Sequence, residues 1–166
     1  MDVGHDIDEF SRTFLPLAAQ AGIPTQMINR HLPELRQHVA GTDTVVLVAQ
    51  CLRPEKPAAG PHLFLLTRTH LVVTGESRLR RSPRLHLRAR VDDLEAVTWQ
   101  ADPAGASVDV AVTCADGRQR FWIRTVYPRQ LWRFDAALEK VFRASADAAR
   151  RRSLFAPRGT PRVART

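Results

Sequence analysis

Cysteine is scarce in this 166-residue chain: Cys51 and Cys114 stand alone, each at the end of an apolar run. Two such residues make neither a disulfide scaffold nor a metal site, and both are expected to be ordinary buried thiols. Long hydrophobic runs are missing as well. The strongest, Val45–Ala49 and Leu63–Leu66, are too short to span a bilayer. No basic segment leads into an apolar run at the start, so no signal peptide is expected, and the default location is the cytoplasm. The motifs of several reaction classes are absent: a glycine-rich phosphate loop, H-E-x-x-H and G-x-S-x-G. The expectation is therefore a protein that is not an enzyme and holds neither metal nor cofactor.

Apolar residues make up 44% of the chain, enough for one ordinary core. Lysine is almost absent: 2 lysines stand beside 23 arginines, and the formal charge is +8. That charge is unevenly spread. Residues 1–41 carry −2, residues 42–146 carry +5 and residues 147–166 carry +5. Arg68–Arg90 alone holds seven arginines against Glu76. Such a field favours anionic partners and says nothing of fold.

The patterning divides the chain into three parts. Residues 1–41 form an N-terminal helical extension. Phe10, Phe14, Leu17 and Ala21 recur at helical spacing over Asp8–Ala21, with Pro16 predicting a kink or two short helices. Gly22 ends that segment, and Pro24 opens a second helix over Thr25–Val39, with Met27, Ile28, Leu32, Leu35 and Val39 as its apolar face. Pro33 argues against perfect regularity there. Residues 42–146 change to short strands: Thr44–Cys51, His62–Thr67, His70–Thr74, Leu85–Arg90, Leu94–Gln100, Ser107–Cys114 and Gln119–Arg124. Along the fourth, Leu85, Leu87 and Ala89 point one way and His86, Arg88 and Arg90 the other. Asp116–Gly117 is a hairpin signal. The connections are too short for crossover helices, so the sheet should be antiparallel, closed into a barrel or folded into two packed layers. Pro128–Ala144 is predicted to be a capping helix with Leu131, Phe134, Leu138, Val141 and Phe142 on its stripe. Residues 147–166 look like a flexible basic tail, rich in arginine and proline.

Seven meandering strands followed by one helix carrying Trp132 resemble the pleckstrin-homology-like superfold, in particular its small bacterial members. Leu65–Thr74 (LLTRTHLVVT) is similar to the second hairpin of many such domains. The resemblance covers about residues 42–146 and implies a mainly β, seven-stranded antiparallel barrel with a C-terminal capping helix. It also implies a scaffold used for phosphoinositide, peptide or protein binding, among which fold alone does not choose. Lipid-binding members carry basic residues after the first strand and at the start of the second. Here Arg53 and Lys56 match the loop, and the second strand offers only His62, so the head-group motif is incomplete.

Histidines could still make a site. His31 and His38 share a helix face with Glu34 nearby. His62, His70 and His86 fall on strands that could be neighbours. Both groups are expected to be ordinary: solvated or capping on the helix, surface or edge on the strands. Asp92, Asp93 and Glu95 form an acidic turn with no visible pocket. The basic residues say more. Arg78, Arg80, Arg81 and Arg84 follow the third strand, and in such a barrel Arg53, Lys56 and Arg118 would join them at one end as an anion-facing rim. Trp122 should face away from Phe121 and Ile123. With Phe10 and Phe14 it is a candidate for an interface, the N-terminal helices docking over Trp122 or pairing two copies. The leading expectation is a non-enzymatic cytoplasmic protein-interaction module whose partner is another protein or a second copy. The alternatives are peripheral binding to anionic lipid head groups, with transient membrane association, and weak non-specific nucleic-acid binding.

Overall fold

The computed structural model describes residues 8–76 and 82–155, with side chains as far as residue 143. Two helices, α1 (Glu9–Gln20) and α2 (Thr25–His38), precede seven strands. These are β1 (Val45–Leu52), β2 (His62–Thr67), β3 (His70–Glu76), β4 (Pro83–Arg90), β5 (Ala96–Asp102), β6 (Ser107–Cys114) and β7 (Gly117–Arg124). Helix α3 (Pro128–Phe155) ends the described chain. The strands make one sheet in the order β4-β3-β2-β1-β7-β6-β5, with every pair antiparallel. The mainly β, antiparallel architecture with a C-terminal helix is the expected one, but the strands run as two meanders, β1–β4 and β5–β7, joined through the β1–β7 pair.

One expectation needs correction. The sheet does not close: β4 and β5 are its two edges. Helix α3 packs against β1, β5, β6 and the short turn Val91–Asp93 that joins β4 to β5. Its Leu131, Phe134, Leu138 and Val141 share one core with Leu47, Phe64, Val73, Val110, Phe121 and Ile123 from the inner face of the sheet. Every residue of β2 is buried because both faces of that strand are covered, which is why HLFLLT shows no alternation. β5 alternates exposed and half-buried positions because one face meets solvent.

The outer face of β1–β4 is covered by the N-terminal helices, α2 lying along β3 and β4. Val45, Val48, Leu63, Leu65 and Val72 pack against Phe10, Phe14, Ala18, Met27, Ile28 and Leu35. Phe10 and Phe14 are therefore inside the chain's own second core, 1% and 0% exposed, and are not a surface for a partner in this fold. The helices dock on the sheet as expected, but over β1–β4 rather than over Trp122. Helix α1 starts where Asp8 accepts a hydrogen bond from the Ser11 amide at 2.9 Å. Pro16 and Pro33 each sit inside a single continuous helix. Each removes one backbone donor, and the buried stripe offsets that loss.

Two further boundaries move. The expected tail is helical as far as Phe155, and the rest of it, residues 156–166, lies outside the described residues. On β4 the register shifts between Val73↔Leu87 and Thr74↔Leu85, leaving His86 without a cross-strand partner. A residue inserted in this way reverses the facing of what precedes it. Leu87 is buried as expected, whereas Leu85 is 37% exposed.

Candidate functional site

The pairing fixes which loops meet. His62 pairs with Cys51 on one side and with Gly75 on the other, and Cys51 also pairs with Ile123. The β1–β2 loop, the ends of β3 and β4 at Glu76 and Pro83, and the tight β6–β7 turn at Gly117 (φ +99°) therefore lie at the same end. Of the expected rim, Arg53 is half-buried, Lys56 and Arg84 are exposed, and Arg84 belongs to β4 rather than to a loop. Arg78, Arg80 and Arg81 lie outside the described residues.

Within this mouth the structure gathers polar groups that the sequence did not single out together. His62 is 4% exposed, and its Nδ1–H donates to the Gly60 carbonyl at 3.0 Å. Its ring meets the His86 ring edge-on, with centroids 5.4 Å apart. The ring lies so close to Gly75 that a Cβ there would fall 2.4 Å from His62 Cδ2. Arg53 Nε, His86 Nε2 and Gln119 Oε1 are buried, without a hydrogen-bond partner among the described residues. Burial, then Arg53 and His62, push the His86 pKa down to about 4; Gln119 beside it opposes the shift slightly, and Lys56 adds to it. Burial lowers His62 too, with Arg53 assisting and the Gly60 carbonyl opposing. The expectation of surface or edge positions is thus corrected for His62, whereas His86 does stand on the edge strand β4, half-buried with its Nε2 turned inward. His70 stands at the opposite end of β3, beside Asp43 and Thr69.

The helix histidines also separate. His31 is fully buried rather than solvated, its Nδ1 2.7 Å from Thr74 Oγ1 and its Nε2 3.4 Å from Glu76 Oε1. Burial holds its pKa below the usual value against the pull of Glu76. His38 pairs with Glu34 at 3.1 Å instead. Among the described residues no three histidine, cysteine, aspartate or glutamate side chains are grouped to hold a metal ion. Cys51 and Cys114 are both buried as free thiols, and burial drives the Cys51 pKa far up.

A second feature lies outside the mouth. Strand alternation puts Phe121 and Ile123 inward and Arg118, Arg120, Trp122 and Arg124 outward. Arg118 and Arg120 line an open groove of about 610 Å³ with Thr98, Gln100, Asp109 and Ala111. Arg118 thus belongs to this outer face as well as to the mouth end. Trp122 is 43% exposed, and the Arg124 guanidinium lies 5.9 Å from its ring centroid. Arg120 forms an ion pair with Asp109. Tyr127 and Trp132 follow, 53% and 66% exposed. The signal was present in the sequence: residues 117–133 hold five arginines and no acidic residue.

No family model matches the chain, and no curated protein matches it. Among solved structures it is similar to the C-terminal domain of an unknown protein from Leishmania infantum, with 14% identity and a TM-score of 0.44 over 71% of this chain and 96% of that one. It is also similar to the DH/PH domains of p115-RhoGEF, with 14% identity and a TM-score of 0.46 over 81% of this chain. The chain spans 39% of the length of that second structure.

Proposed function

We propose that this chain is a non-enzymatic protein-interaction module that takes an extended segment of its partner along the edge of β5. The carrying observation is the contrast between the two sheet edges. β4 has the devices that discourage pairing: Pro83, the exposed Arg84, Arg88 and Arg90, and the register shift. From Ala96 to Ala101, β5 has neither charge nor proline, and it runs in unbroken register with β6. Between Ala96 and Asp102 no backbone–backbone hydrogen bond is made outside that ladder among the described residues. The strand is also held in place, because Trp99 Nε1–H donates to Asp135 of α3 at 2.8 Å and the indole packs on Phe142. A preformed edge costs a partner strand less ordering than a mobile one.

The test is selection of random extended peptides on the full chain, followed by binding to Thr98→Pro and Ala101→Pro variants. Adjacent amides of an edge strand alternate between ladder and solvent, so one of these two loses only an outward donor and keeps the fold. That variant is expected to lose peptide binding at least tenfold. Unchanged binding in a folded variant rejects the edge.

A second reading is supported by the mouth formed by the β1–β2 loop, the ends of β3 and β4 and the β6–β7 turn, with Arg53, Lys56 and Arg84 around it. Basic residues near an acidic leaflet contribute about 1 kcal/mol each. That reading expects co-sedimentation with phosphatidylserine vesicles and release by salt. Equal behaviour with neutral vesicles counts against it.

A further inference from the structure

We propose that the outer face of β7, continued into the start of α3, binds single-stranded nucleic acid, with Arg118 and Arg124 on phosphates and Trp122 as a platform for a base. The proposal is independent of the β5 edge. Three observations carry it. First, all the exposed aromatic side chains among the described residues with accessible rings, namely Trp122, Tyr127 and Trp132, fall within one strand–turn–helix segment. The other aromatic rings among the described side chains are turned into the two cores or, like Trp99 and Phe142, packed against them.

Second, the charge of that segment is of one sign. Arg118, Arg120, Arg124, Arg129 and Arg133 interleave with the rings, and residues 117–133 contain no acidic residue. The acidic groups near β7 are Asp109, already paired with Arg120, Glu55 of the β1–β2 loop, which also attracts Arg120, and Asp102 at the far end of β5. Arg118 and Arg124 form no ion pair among the described residues. Third, the face is concave. The groove of about 610 Å³ runs beside Arg118 and Arg120, and its other walls are Thr98, Trp99, Gln100, Ala111 and the Asp109 that pairs with Arg120.

Charge alone would suit any polyanion. The rings narrow the choice. Two side chains on the same face of a strand are about 6.6–6.8 Å apart along it, so Arg120, Trp122 and Arg124 alternate cation, ring and cation. A duplex keeps its bases stacked inside and offers only phosphates. An acidic peptide satisfies the arginines and leaves the indole face unused. A single strand offers both, since every base has a face to stack and sequence hardly matters. Arginine also stacks on aromatic planes, and Arg124 over Trp122, like Arg129 at 5.5 Å from the Tyr127 centroid, extends the stacking surface.

The experiment is fluorescence anisotropy of a dye-labelled oligothymidylate of roughly 20 nucleotides, long enough to fill one such groove, against the full chain at several salt concentrations. Trp122→Ala is expected to weaken binding about tenfold with the salt slope unchanged. Trp122→Phe should stay within about threefold of wild type, which separates stacking from folding. Arg118→Gln with Arg124→Gln should lower the salt slope by about 1.4, since each phosphate contact on a single strand contributes about 0.7. A chain with Arg150, Arg151 and Arg152 changed to serine should bind as wild type. The proposal is overturned by absence of binding at low salt, by wild-type affinity in Trp122→Ala, by loss of binding in the serine variant, or by equal displacement with polyglutamate at matched charge.

Discussion

Gly75 and His62 share one space. The His62 ring covers the position a Cβ at residue 75 would take, 2.4 Å from the nearest ring atom, and the Gly60 carbonyl holds that ring in place. Gly75→Ala is therefore expected to destabilise the fold by about 1–3 kcal/mol in a urea titration, as overpacking does elsewhere. Adding His62→Ala should recover part of the loss. The mouth also sets a pH dependence. His86 is held at about 4 against an ordinary 6.5, and His62 and His31 are lowered too. The unfolded chain then binds more protons than the folded one between those values, so stability is complete above about pH 6.5 and falls as pH drops toward 4. The urea midpoint should decrease from pH 7 to pH 5, and His86→Gln should shrink that decrease. A midpoint independent of pH over this range contradicts the neutral, buried histidines. Only the grouping of His62, His70 and His86 on strands that could be neighbours was legible in the sequence, and the burial of His62 was not. His86 turns toward His62 because of a one-residue register shift, and a shift of that kind leaves no mark in an alternating pattern that already looks regular.

At the level of elements, pattern read well where one face is wet and poorly where both are dry. β6 and β7 alternate as their sequences suggest, and Val108, Val110, Val112, Phe121 and Ile123 are all buried. Helix α3 was legible from Leu131, Phe134 and Leu138, and its extension past residue 146 was not, because the apolar stripe fades there. The full burial of β2 is the trace of α1 and α2 on its outer face, and it explains why the two prolines failed to divide those helices. Phe14 is 0% exposed at that junction. Phe14→Ala should cost about 3–5 kcal/mol in the same titration, the usual penalty for emptying an aromatic site. Deleting residues 1–40 should expose Val48, Leu63, Leu65 and Val72 together, and light scattering should register self-association. A truncated chain that stays monomeric and equally stable would mean the helices are dispensable covers.

On the scale of the whole molecule the sheet has a covered half and an open half. The N-terminal helices occupy the outer face of β1–β4, whereas β5–β7 keep an exposed outer face, an unguarded edge and the groove beside Arg118 and Arg120. Composition announced a basic protein but directed attention to the arginines after β3. The three-dimensional arrangement adds a second concentration on β7, which became recognisable only once strand phase separated Arg118, Arg120, Trp122 and Arg124 from the inward Phe121 and Ile123. The central claim is that partners meet the open half, first of all at the edge of β5. Amide hydrogen exchange of the full chain, alone and with a selected peptide bound, tests it most directly. Protection should rise within Ala96–Asp102 while the amides of β4 and of α1 and α2 stay unchanged. A rise confined to Pro83–Arg90, or to the N-terminal helices, with β5 unaffected, would contradict the account.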